Sequence, residues 1–179
     1  MKDNQAVARK ITRTLFLSQG VVSAALITTG TVNSIAGAEL SGVIAWAGLP
    51  ATVLLLSAAL GALTWGFLME RIGRRKGLAI GLVIGALGGL FAGIALWRGS
   101  FPLFLVGMGM FGFAQSAMQL GRFAAAEVNP AAKRGQAIAN VVLGGTVGAI
   151  VGPLLVGPAG VLASRAGIDE LVGPYGTAL

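Results

Sequence analysis

Glu70 is followed by Arg71, Arg74, Arg75 and Lys76, and Glu127 lies between Arg122 and Arg134. Acids and bases at these spacings can form ion pairs, and a pair at a moving contact can hold one conformation against another. A second set of groups is neutral. Gln115, Gln119 and Arg122 fall at i, i+4 and i+7, on one face of a helix. With Gln19, Ser23, Thr29, Asn33 and Asn140 they are the side chains able to line a polar cavity and hydrogen-bond a small solute. The alternative for each is a hydrogen bond between helices. The chain has no Cys and no His, which excludes disulfides, Cys/His metal sites, haem ligation by either residue and His-based catalytic dyads and triads. No nucleophile and base can be assembled, so the reading is not an enzyme, and no cofactor or metal is expected.

The elements that must carry these groups are membrane spans. Of 179 residues, 55% are hydrophobic and 11% charged, and the mean hydropathy is +0.84, outside the range of soluble domains. The charges cluster, leaving uncharged runs at 14–38, 40–69, 77–97, 99–121 and 135–164. Each is long enough to cross a hydrocarbon core of about 30 Å as a helix. The expectation is an all-α membrane protein with five transmembrane helices at 14–38, 49–69, 77–97, 102–123 and 136–162. Residues 1–13 form an amino-terminal segment and 163–179 a tail without a sixth span. The first helix is too long and too polar for a signal peptide and is expected to be retained.

Eleven Lys and Arg fall in the amino-terminal segment and the second and fourth connections, against Arg98 and Arg165 on the other side. By the positive-inside rule the amino terminus is cytoplasmic and the tail external. The net charge of +7 is thereby assigned to orientation and not to nucleic acid. Trp46 and Trp97 are expected at the outer interface and Trp65 near the inner one, and Glu39 in or beside the first external loop, solvated.

The 29 glycines fall in stripes: Gly81, Gly85, Gly89 and Gly93 in the third helix, Gly144, Gly148 and Gly152 in the fifth, with Ala58, Ala62 and Gly66 in the second. Small-residue ridges let helix backbones approach closely where lipid supplies no hydrophobic drive. The third helix has no hydrogen-bonding side chain between Gly77 and Trp97 and is expected to be peripheral; the first and fourth are expected to line a cavity. Gly152 and Pro153 predict a kink in the fifth helix.

The connection GFLMERIGRRK resembles the cytoplasmic signature GxxxDRxGRR of the major facilitator superfamily, matched by Gly66, Arg71, Gly73, Arg74 and Arg75, with Glu70 in place of Asp. The next such loop, EVNPAAKRG, is similar to that family's ExxPxxxRG through Glu127, Pro130, Arg134 and Gly135. Gly148, Gly152 and Pro153 resemble the antiporter signature GxxxGPxxGG, although Gly157 comes one position late and the paired glycines are missing. TGTVNSIA is faintly like the drug-exporter pattern DxTVxNxA, with Thr29 in the place of the acid. The resemblance implies two six-helix halves with substrate held between them near the bilayer midplane. On it, the chain is an incomplete amino-terminal half, and its partners are the bilayer, the remaining helices, a small-molecule substrate and, in a proton-driven carrier, protons. An exporter or antiporter is the first reading. An importer of sugars or other metabolites is the alternative within the class, and a non-transporting five-helix scaffold the alternative outside it. The resemblance further implies a cytoplasmic gate built from Gly66, Glu70, Arg71, Gly73, Arg74, Arg75, Glu127, Pro130 and Arg134, in which Glu70 and Arg74 pair with Glu127 and favour the outward-open state.

Overall fold

The structure, a computed structural model, describes residues 2–165, with side chains described except at 2–9, 31, 156, 159, 160, 163 and 165. Five helices account for almost all of it: α1 (Lys2–Ser41), α2 (Leu49–Ile72), α3 (Arg74–Arg98), α4 (Phe101–Glu127) and α5 (Arg134–Arg165). All five contain a stretch long and apolar enough to cross a membrane. The helices run past their expected bounds, α1 by a dozen residues at its amino end, because Lys, Gln, Ala and Arg are good helix formers that let the ladder continue. From residue 166 onward the expected external tail lies outside the described residues.

Short connections set the helix order. Gly73 alone joins α2 to α3, at φ 86° and ψ 146°, a backbone region that is essentially reserved for glycine. Gly99, at φ 64°, ends α3 by donating its N–H to Ala95 and Leu96 carbonyls, and Ser100 N–H returns to Ala95. Pro50 and Pro102 stand in the first turns of α2 and α4, where no N–H is needed.

α4 is the centre of the bundle and touches the other four helices. Its small residues accept the neighbours. Gly107 meets Gly88 and Ala92 of α3, Gly112 meets the Leu54 backbone of α2, and Trp65 of α2 is fully buried with its indole N–H donated to the Phe113 carbonyl at 2.9 Å. Trp65 therefore belongs to the core and not to an interfacial belt; Trp46 and Trp97 are exposed.

The glycine stripes reach different fates. On α5, a Cβ at Gly144, Gly148 or Gly152 would strike the carbonyl oxygens of Phe16, Gly20 and Ala24 in turn, so two rows at four-residue spacing mesh along α1 and α5. The Thr28 hydroxyl continues the row and donates to the Gly152 carbonyl at 2.8 Å. On α3 the contact follows Gly81, Gly85, Gly88 and Ala92, since strict four-residue steps rotate about 40° each and leave the contact line. The expected ridge on α2 is corrected: Ala62 and Gly66 are exposed, and Gly61 makes the close approach to Phe113 and Ser116. α3 is not merely an outer helix, for it packs intimately on α4 and walls an apolar cavity of about 330 Å³ with Val21, Val22, Phe111 and Gln115. α5 is continuous through Pro153 and Pro158.

Candidate functional site

Arg74, the first residue of α3, donates Nη2–H to Oε1 of Glu127, the last residue of α4, at 2.5 Å. Among the described residues this is the one ion pair. The single-residue turn at Gly73 and the antiparallel packing of α3 on α4 bring the two side chains to the same end of the bundle. Glu70, Arg71, Arg75 and Lys76 are exposed, as are Pro130 and Arg134. Glu70 joins no ion pair, and the partner of Glu127 is neither Arg122 nor Arg134. Pro130 caps the short turn Ala131–Lys133, its carbonyl accepting from Lys133 N–H at 2.8 Å. Gly66 has open space where a Cβ would stand.

Within the span, α1, α4 and α5 enclose a cavity of about 380 Å³ lined by Gln19 and Ser23, by Gln115, Gln119 and Arg122, and by Thr146. Helix periodicity explains the gathering: the three α4 residues share one face, and Gln19 packs over Gly145, whose missing side chain leaves the space. The Gln115 carbonyl oxygen is buried and accepts no hydrogen bond among the described residues. Such an acceptor is costly to leave unpaired. No acid occurs in any of the five uncharged runs, so the cavity offers amides, hydroxyls and one guanidinium.

Three other candidates stand elsewhere. Thr29 is buried and donates back to Ala25 and Leu26 carbonyls of its own helix, at 2.9 and 3.2 Å. Asn33 is buried and does not line this cavity. Asn140 is exposed and lines a separate space with Arg13 and Lys133. Thr146 was not among the sequence-based candidates. Its signal was available, a hydroxyl in an apolar span, on the same helix as the candidate Asn140.

Comparison with known proteins identifies relatives of the chain as a whole. The family model described as Major Facilitator Superfamily matches residues 15–169. A riboflavin transporter of Brucella anthropi is 34% identical over 87% of this chain and 39% of its own length. Two uncharacterized transporters of the same type from Bacillus subtilis, YdeG and YddS, are each 32% identical, over 91% and 97% of this chain and 39% and 40% of theirs. The chain thus spans about two fifths of the length of these relatives and corresponds to their amino-terminal part. No solved structure matches it.

Proposed function

The chain belongs to the major facilitator superfamily, and from that premise we propose that it is the amino-terminal part of a secondary active transporter of small organic molecules, working by alternating access. The observation that carries the reading is the polar cavity among α1, α4 and α5, with Gln115 presenting a buried acceptor that has no protein donor. A wall of amides and hydroxyls in an apolar span is costly unless something polar is bound there. In the proposed orientation the amino terminus, the Gly73 turn and the 127–134 connection face the cytoplasm. The Arg74–Glu127 pair then closes that side and favours the outward-open state. The pairing is at an end of the bundle where α3 and α4 must hold together while the cavity is closed to the cytoplasm.

Efflux or antiport is the first choice of direction, supported by Gly148, Gly152 and Pro153. Transport of a metabolite is a second reading, favoured by the relative named for riboflavin. Both are tested by joining this chain to the remaining carboxyl-terminal part of that relative and following riboflavin in proteoliposomes. Saturable flux in the joined protein, lost at least tenfold in Gln119→Leu and Arg122→Gln at equal insertion, supports the cavity as the substrate half-site. Unchanged flux in both variants overturns it. Flux from the 179-residue chain alone is expected to equal background, because a pathway between two halves needs both walls.

A further inference from the structure

A second polar cavity lies between α1 and α5 where the 128–133 connection enters α5. It encloses about 430 Å³ and is lined by Thr12 and Arg13 of α1, by Asn129 and Lys133 of the connection, and by Gln136 and Asn140 of α5. It lies further toward the amino ends of α1 and α5 than the cavity described above. The two cavities share no lining residue.

Its chemistry is that of an anion site. Arg13 and Lys133 are exposed and take part in no ion pair among the described residues. The amides of Gln136 and Asn140 make no hydrogen bond among the described residues, leaving their N–H groups available. The floor is fixed independently, since Asn129 Nδ2 donates to the Thr12 hydroxyl at 3.1 Å and to the Ala125 carbonyl at 2.8 Å. Two cations and two amide donors converge on a concave surface whose backbone frame is already tied. No carboxylate lines it. On the proposed orientation it stands at the cytoplasmic end of the spans, the level at which anionic headgroups lie and at which basic pockets between helices hold them.

We propose that this cavity binds a phosphate group, supplied by the headgroup of an anionic phospholipid. Arg13 and Lys133 neutralise the phosphate charge and the amides of Gln136 and Asn140 donate to its remaining oxygens. The lipid then bridges α1, the 129–133 connection and α5. Its test reads lipid and not transport, so its failure leaves the transporter reading untouched.

The experiment is native mass spectrometry of the purified 179-residue chain in detergent, titrated with phosphatidylglycerol or phosphatidylcholine, with inorganic phosphate as competitor. Phosphatidylglycerol is expected to bind more tightly than phosphatidylcholine. The Arg13→Gln/Lys133→Gln double variant should lose roughly 30-fold in phosphatidylglycerol affinity, the factor corresponding to about 1 kcal/mol for each cation near the surface. Gln136→Ala/Asn140→Ala keeps the charge and should lose less, which separates the site from a general field. Arg98→Gln, outside the cavity, should bind as the parent does. Displacement of phosphatidylglycerol by millimolar inorganic phosphate keeps the anion site and makes its occupant a soluble phosphate; resistance assigns it to lipid. Equal binding of the two lipids, or an equal loss in Arg98→Gln, overturns the proposal.

Discussion

Arg74 and Glu127 pair at a shared end of two antiparallel helices, and each stands where the dipole of its own helix disfavours it. Crossed over, the arrangement is favourable: the carboxylate lies beside the amino-terminal end of α3 and the guanidinium beside the carboxyl-terminal end of α4. The pair holds only while the two ends stay together. With side chains 37% and 57% exposed, its contribution is modest, about 0–1 kcal/mol.

That magnitude still moves a two-state equilibrium by up to about fivefold. In the joined transporter, Arg74→Glu should raise the rate at which a cysteine at Thr146 reacts with an impermeant thiol reagent from the cytoplasmic side. Adding Glu127→Arg should lower it again. Lys76 is exposed and unpaired, so Lys76→Glu should leave the rate near that of the parent. Equal acceleration in Arg74→Glu and Lys76→Glu would show that loop charge alone, and not the pair, controls access.

The Gly73 turn should tolerate no side chain. At φ 86° an alanine is strained by about 1–3 kcal/mol, and Gly73→Ala should lower the unfolding midpoint in mixed micelles. Gly66 belongs to the same sequence motif but has open space at its Cβ position. Gly66→Ala should leave that midpoint unchanged or raise it slightly, through helix propensity.

Along the α1–α5 seam, Gly148→Ala places a methyl group against the Gly20 carbonyl and forces backbones apart. A loss of about 1–3 kcal/mol is expected, measured by the same unfolding. Thr28→Val removes only the hydroxyl donated to Gly152 and should cost about 0.6 kcal/mol, the usual scale for such bonds between spans. A larger loss from Thr28→Val than from Gly148→Ala would mean that the hydrogen bond, and not the close approach, holds the seam.

Orientation is testable because the chain has no native cysteine. Ala45→Cys, in the exposed connection between α1 and α2, should react with an impermeant reagent in intact cells. Ala132→Cys, exposed before α5, should react only after the inner face is opened. The reverse pattern would invert the assignment of the gate to the cytoplasm.

Hydropathy and charge made the five spans legible, because a bilayer demands uninterrupted apolar runs and rejects charge between their ends. The polar face Gln115, Gln119, Arg122 was legible too, since helix periodicity alone places it. The Arg74–Glu127 pair was legible only through the family resemblance, which also put Glu70 in it, although Glu70 joins no ion pair among the described residues; sequence neighbours alone point elsewhere. Glu127 has Arg122 and Arg134 near it in sequence but meets Arg74, fifty-three positions away, because contact between α3 and α4 is a tertiary fact. The same holds for Trp65: its residue type fits an interface, whereas the face of α2 on which it falls packs against Phe113. Thr29 illustrates a third limit, for a hydroxyl in a span can be satisfied by its own helix, and sequence does not say which hydroxyls are.

The meshing of Phe16, Gly20, Ala24 and Thr28 with α5 also imposes a schedule. Thr28 and Gly152 are 124 positions apart, and a ribosome adding about 5–20 residues per second takes roughly 6–25 s to travel between them. During that interval α1 must stay in the bilayer without its principal neighbour, although its span has the lowest hydropathy of the five, 1.3 against 1.4 to 2.3 for the rest. The first helix to be made is thus the last to find its full set of contacts, and the four bases at its amino end are what can keep it in place until α5 emerges from the ribosome.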